Sequence, residues 1–128
     1  MKNKEKETFS IVARLKSFRF AFAGIRSFFR ETHNAYIHLV ATVLVVVAGF
    51  CFHLASAEWL FLIVAMGMVW TAEAFNTAIE FLVDMVSPNF DKKAGRVKDI
   101  AAGAVLFAAI TAAIIGILIF LPHIKNLF

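Results

Sequence analysis

The chain has 128 residues, of which 61% are hydrophobic and 17% are charged, and its formal net charge is +4 at pH 7. A water-soluble domain of this length needs a larger charged surface, so the composition excludes an ordinary soluble enzyme and indicates a membrane protein. The length allows one small domain. A polar site built from so few helices favours a homo-oligomer, because neighbouring copies can complete it.

The N-terminal quarter predicts a surface helix rather than a membrane span. Residues 1–8 are charged and predict a disordered tail, whereas residues 9–30 predict an amphipathic helix. At 100° per residue, its apolar side chains fall within an arc of about 80°, and its basic side chains fall within an adjacent arc of similar width. These residues are Ile11, Leu15, Phe18, Phe22, Ile25 and Phe29 on the apolar face, and Lys16, Arg19, Arg26 and Arg30 on the basic face. This pattern is typical of a helix that lies in the headgroup plane.

Three apolar stretches follow, at residues 36–57, 59–86 and 100–121. Each has at least about 22 residues, and a helix of that length reaches roughly 33 Å, enough to cross the hydrocarbon core. We expect Pro122 to end the third helix. The predicted fold class is therefore an all-α membrane protein, with an N-terminal amphipathic surface helix and a three-span membrane domain at residues 31–128.

The basic residues predict the topology. Lys and Arg concentrate before Glu31 and in the loop at residues 87–99, whereas the turn between the first two spans carries only Glu58. The positive-inside rule then places the N-terminus and the 87–99 loop in the cytoplasm. We expect a multi-pass protein of the inner (cytoplasmic) cell membrane, with no nucleic-acid partner.

The second span carries a polar stripe formed by Glu73, Asn76, Glu80 and Asp84, which share one face of the predicted helix. Each acid in hydrocarbon costs about 3 kcal/mol on insertion scales, so these groups must meet water, a cation or a partner. Three interpretations stay open. The stripe is wetted at the end of the helix, it lines a cation or proton pathway, or it holds Mg²⁺ and phosphate.

The loop after this span carries Lys92, Lys93, Arg96 and Lys98 beside Asp99. Positive-inside bias alone explains such a loop. Carboxylates for a metal beside cations for phosphate are nevertheless the layout that phosphoryl transfer uses, because that chemistry depends on positioning and charge neutralisation. The four histidines share no helical face in a metal-binding pattern, and we interpret them as interfacial side chains: His33, His38, His53 and His123.

The sequence resembles the prokaryotic diacylglycerol kinase family from about residue 11 to residue 120. The matching runs are AEAFNTAIE at residues 72–80, followed by Asp84, then KDIAAGAV at residues 98–105, with GIR at residues 24–26 and NAYIHL at residues 34–39. The spacing Glu-x-x-Asn-x-x-x-Glu-x-x-x-Asp in an apolar span is highly specific. Shorter motifs at residues 37–39, 58–60 and 101–104 look more like the undecaprenol kinase branch.

The resemblance implies a homotrimer whose active sites are shared between neighbouring subunits. It also implies that, with Mg²⁺, the γ-phosphoryl group of ATP passes to the hydroxyl of a membrane lipid, either undecaprenol or diacylglycerol. A non-enzymatic cation or proton pathway remains the main alternative, and a membrane scaffold is a third.

The resemblance also implies roles for individual residues. Glu73 would be the general base, Glu80 a metal ligand and Asp84 a supporting group. The nucleotide site would include Phe20, Asn76, Lys98 and Asp99, with Arg14 or Lys16 as its basic residue. A glutamate of the surface helix completes the metal site in the family. Glu31 is the closest acid here, although counting from Gly24 without a gap places Thr32 at that position.

Overall fold

The computed structural model describes residues 8–128, so the predicted tail lies outside the described residues except for Thr8. The described part of the chain forms four helices and no strand: α1 (Ile11–Glu31), α2 (His33–Cys51), α3 (Ser56–Val86) and α4 (Lys92–Lys125). Three of them, α2, α3 and α4, are long and apolar enough to cross a membrane. The all-α fold class is confirmed.

Helix α1 touches the rest of the chain mainly at its C-terminal end. It begins after Ser10, whose hydroxyl accepts a hydrogen bond from the Ala13 N–H at 3.3 Å. At the other end, Phe28 and Phe29 place their rings 6.1 and 5.4 Å from the ring of Trp70 on α3. No residue of α1 is buried. Its apolar face is therefore open from Ile11 to Ile25, as a helix in the headgroup plane requires, and only its C-terminal end packs against α3.

A tight turn separates α2 from α3 and shortens the first predicted span. The helix ends at Cys51, and His53 adopts a φ of 53°, the left-handed conformation that commonly ends a helix. The Leu54 N–H then returns to the Gly49 carbonyl at 3.2 Å. The apolar stretch at residues 36–57 is therefore not one helix to its end, because apolar composition does not reveal where the backbone reverses.

Helix α4 is longer than predicted at both ends. Asp91 caps its N-terminus by accepting from the Ala94 N–H at 2.9 Å, so most of the predicted 87–99 loop is helical. The expectation that Pro122 ends this helix is wrong, since the helix continues to Lys125. Pro122 supplies no N–H to the preceding turn, but its own carbonyl still accepts from the Asn126 N–H at 3.2 Å and closes the last turn.

Helices α3 and α4 form the main packed pair, and their contact fixes the depth of the polar stripe relative to the basic start of α4. A small apolar core of Leu54, Leu62 and Ile119 lies towards the end opposite that stripe. At the same end, Glu58 accepts the Ala55 N–H at 2.8 Å and lies 2.9 Å from Nε2 of His123. Most large apolar side chains of the three spans stay exposed, so their outer faces are suited to lipid or to other copies of the chain.

Candidate active site

The polar stripe of α3 is buried at one end and exposed at the other. Glu73 is 1% exposed and Asn76 is 7% exposed, whereas Glu80 is half-buried and Asp84 is exposed. The four residues do lie along one helix, as their spacing predicts. Their burial separates them, however, so the wetted-end interpretation suits Asp84 and does not explain Glu73.

Glu73 is the most buried ionisable group of the stripe. Its Oε1 atom has no hydrogen-bond partner among residues 8–128. His38 on α2 lies beside this carboxylate, with its Nε2 3.9 Å from that oxygen. An ionised carboxylate without a partner is costly in an apolar setting. The site therefore favours an incoming proton donor or cation at this oxygen.

One turn further along, Asn76 and Glu80 form a second polar pair. The Asn76 amide donates to Glu80 Oε1 at 3.2 Å, while Asn76 Oδ1 is buried and has no partner in the described part of the chain. Carboxylate and amide oxygens are the donors that Mg²⁺ prefers. No three His, Cys, Asp or Glu side chains within residues 8–128 lie close enough together to hold a metal. The oxygen set nevertheless fits Mg²⁺, which commonly takes one or two carboxylates and fills its other positions with water and phosphate oxygens.

The junction of α1 and α2 lies beside this pair. The Thr32 and Thr77 hydroxyl oxygens are 3.3 Å apart, and Thr77 directly follows Asn76. Glu31 is exposed, and its Oε1 accepts from the Ser27 hydroxyl at 3.3 Å within α1. Counting from Gly24 without a gap places the family's surface-helix glutamate at Thr32, and the structure puts Thr32 against α3. Glu31, the closest acid, contacts its own helix instead.

The exposed end of the stripe contacts the start of α4. Lys98 Nζ donates to Asp84 Oδ1, and this ion pair joins α3 and α4 at the end where the basic residues lie. Asp99 is exposed on the next position of α4. The basic side chains are therefore held on the first two turns of a helix, and not on a loop as the sequence suggested.

The two remaining predicted site residues, Arg14 and Phe20, lie far along α1. Both are exposed; Arg14 lies over the ring of Phe9 at 5.8 Å, and Phe20 lies under the guanidinium of Arg19 at 5.2 Å. They precede Glu31 by roughly 26 and 17 Å of helix. A single chain does not bring them to the stripe, and their role stays a prediction.

Sequence reasoning missed His38. This residue is half-buried and lies beside Glu73, a contact that the interpretation of it as an interfacial side chain does not predict. It also borders an apolar groove of about 550 Å³ that runs between α2, α3 and α4 to Phe120 and Ile124. One signal was available, because an ionisable residue within a membrane span is by default a candidate functional residue.

Comparison with known proteins supports the resemblance. A family model described as Prokaryotic diacylglycerol kinase matches residues 19–120. The Undecaprenol kinase of Bacillus subtilis is 38% identical over 109 residues, which cover 85% of this chain and 89% of that protein. The Diacylglycerol kinase of Synechocystis is 39% identical over 114 residues, or 88% and 65% of the two chains. The Diacylglycerol kinase of Escherichia coli K12 is 32% identical over 84 residues, or 66% and 69%. The family match includes the whole stripe and Lys98, and it leaves Arg14 outside.

Proposed function

The chain belongs to the prokaryotic diacylglycerol kinase family, and on that premise we propose that it transfers the γ-phosphoryl group of ATP to the hydroxyl of undecaprenol or diacylglycerol. Its similarity to these kinases supports a lipid kinase, and its three long apolar helices support a multi-pass membrane protein. The proposed role is in phospholipid or cell-envelope lipid-carrier metabolism. Beyond lipid kinase activity, the proposal specifies ATP as the phosphoryl donor and undecaprenol or diacylglycerol as the acceptor.

The buried carboxylate of Glu73, whose Oε1 has no hydrogen-bond partner among residues 8–128, carries this proposal. A lipid hydroxyl is a weak nucleophile, and a carboxylate within hydrogen-bond reach accepts its proton as the bond to phosphorus forms. Glu73 lies on a membrane helix near an apolar groove that begins at His38. An acceptor with a polar head and an apolar tail suits this arrangement, because its tail stays in apolar surroundings while its hydroxyl reaches the carboxylate.

The nucleotide belongs at the other end of the stripe. Glu80 and Oδ1 of Asn76 would hold Mg²⁺, with Glu31 as the proposed ligand from the surface helix. When bound, Mg²⁺ neutralises charge on the phosphates of ATP. Lys98 and Asp99 on α4 would contact the nucleotide, together with Arg14 and Phe20 of a surface helix. Glu80 lies roughly 10 Å along the helix from Glu73, which separates the metal ligand from the base.

We propose a homotrimer with shared sites, and the location of Arg14, Phe20 and Glu31 supports the sharing. In one chain Phe20 and Glu31 contact α1 itself and Arg14 contacts Phe9 just before it, whereas only the C-terminal end of α1 reaches α3. We propose that the surface helix of one subunit completes the stripe of its neighbour. We further propose that the N-terminus and the segment at residues 87–99 face the cytoplasm, where ATP is available.

Mixed oligomers test the shared site. We expect two inactive variants, Glu73→Gln and the surface-helix variant Arg14→Ala/Glu31→Ala, to regain activity when they are mixed in detergent and reconstituted together, because some sites then combine an intact stripe with the intact surface helix of a neighbour. Lipid phosphorylation is measured against each variant alone, and subunit mixing is verified with two affinity tags. If activity stays absent in verified mixtures, each site lies within one chain.

The choice of acceptor is tested by a direct comparison. Purified protein in mixed micelles receives Mg·ATP with either undecaprenol or diacylglycerol at equal mole fraction, and the initial rate of lipid phosphorylation is measured. We expect a higher kcat/KM with undecaprenol, in line with the motifs at residues 37–39 and 58–60. A higher value with diacylglycerol would assign the chain to that acceptor instead.

A further inference from the structure

The contact between α2 and Glu73 supports a further inference, which rests on the proposed function. His38 lies near the start of α2, and its Nε2 is 3.9 Å from Glu73 Oε1, the buried oxygen without a hydrogen-bond partner among residues 8–128. A movement of about 1 Å brings these atoms to ordinary hydrogen-bonding distance. Hydrogen bonds of catalytic groups are often long before substrate binds and tighten in the reactive complex.

The surroundings of His38 fix its imidazole on this side of α2. Its backbone carbonyl accepts from the Thr42 hydroxyl at 2.7 Å, and the Thr42 oxygen in turn accepts from the Trp70 indole N–H at 3.0 Å. The His38 and Trp70 rings meet edge to face, with centroids 6.3 Å apart. Trp70 precedes Glu73 by three residues on α3, so these contacts join the two helices at the level of the base.

We infer that His38 is a positioning residue, whose Nε2–H donates to Glu73 Oε1 and turns the other carboxylate oxygen towards the lipid hydroxyl. A neutral imidazole supplies one N–H donor, and the carboxylate has a second oxygen left for the incoming proton. The histidine itself gains and loses no proton in this role. Its orientation of Glu73 affects turnover, because a misplacement of about 1 Å at a reacting group can lower the reaction rate about 100-fold.

Two substitutions separate a donor from a mere space-filling side chain. We expect His38→Leu to lower kcat by up to about 100-fold, with the KM for Mg·ATP unchanged, because Glu80 lies further along α3. His38→Gln should keep kcat near the wild-type value, because the glutamine amide nitrogen reaches the place of Nε2. Thermal melts monitored by circular dichroism confirm that each variant is folded. His33→Leu, the same change at an exposed histidine of α2, is the matched control.

Each other outcome has a defined meaning. If His38→Leu keeps wild-type turnover, the positioning role is refuted. If folded His38→Leu and His38→Gln lose activity equally, the amide does not replace the imidazole, and positioning by a donor is also refuted. If wild-type protein transfers no phosphate, the proposed function fails, and nitrogen NMR of labelled histidine still tests the contact. The His38 Nε2 resonance, assigned by its loss in His38→Gln, should shift in Glu73→Gln, and an unchanged resonance would overturn the inference.

Discussion

Replacing Glu73 by glutamine is expected to lower kcat by about 10²- to 10⁴-fold, the usual contribution of a general base, while Mg·ATP binding stays nearly intact. The amide keeps the shape of the buried side chain and loses the ability to accept a proton from the lipid hydroxyl. The change also removes the potential charge from a residue that is 1% exposed, so we expect no loss of folding stability. Steady-state kinetics and calorimetric titration with Mg·ATP measure the two effects separately.

Glu58→Gln is the matched control, because it makes the same substitution on α3 at the opposite end of the membrane span. Glu58 pairs with His123 and has no assigned role in transfer. We expect this variant to keep its kcat. If Glu73→Gln instead lost affinity for Mg·ATP and kept turnover, Glu73 would hold the metal and would not be the base.

Glu80→Gln should weaken metal-dependent nucleotide binding as well as turnover. This carboxylate is half-buried, accepts a hydrogen bond from Asn76 and lies nearer the basic start of α4 than Glu73 does. Loss of a charged metal ligand should raise the KM for Mg·ATP by at least about tenfold. Mutating a residue that merely supports a metal ligand already commonly lowers metal affinity by about 10- to 100-fold. Higher Mg²⁺ concentrations should restore part of the rate.

The metal dependence supplies the contrast between the two carboxylates. Kinetics of both variants across a range of Mg²⁺ concentrations should show partial rescue of Glu80→Gln and no rescue of Glu73→Gln. Equal rescue of both variants, or rescue of Glu73→Gln alone, would reverse their assigned roles. The Glu58→Gln protein serves again as the reference, because its response to Mg²⁺ should match that of the wild type.

The features that depend on one helix were predictable from sequence. The apolar stretches indicated three spans, and the spacing of Glu73, Asn76 and Glu80 placed them on one face, because both patterns follow from the pitch of a single helix. The ends of the helices were harder to predict. The chain reverses at His53 inside an apolar stretch, and α4 continues through Pro122, because both depend on local backbone hydrogen bonds.

Contacts between helices could not be predicted in the same way. The pairing of His38 with Glu73, and that of Thr32 with Thr77, depend on how α2 is rotated against α3. No periodicity within one helix encodes this rotation. The same reason explains why the spacing placed the four residues on one face without giving their burial, whereas packing buries Glu73 and leaves Asp84 exposed.

The fate of the γ-phosphate tests the central claim most directly. Purified protein in micelles that contain undecaprenol and diacylglycerol is incubated with Mg²⁺ and with ATP labelled at either the γ- or the α-phosphate, and the lipid is then extracted. A lipid kinase places the γ label in the extracted lipid and leaves the α label in the aqueous phase, and Glu73→Gln should lower the rate of lipid labelling by about 10²- to 10⁴-fold. No lipid label from γ-labelled ATP, together with cation or proton flux in liposomes that Glu73→Gln abolishes, would contradict the proposal and favour an ion pathway along the stripe.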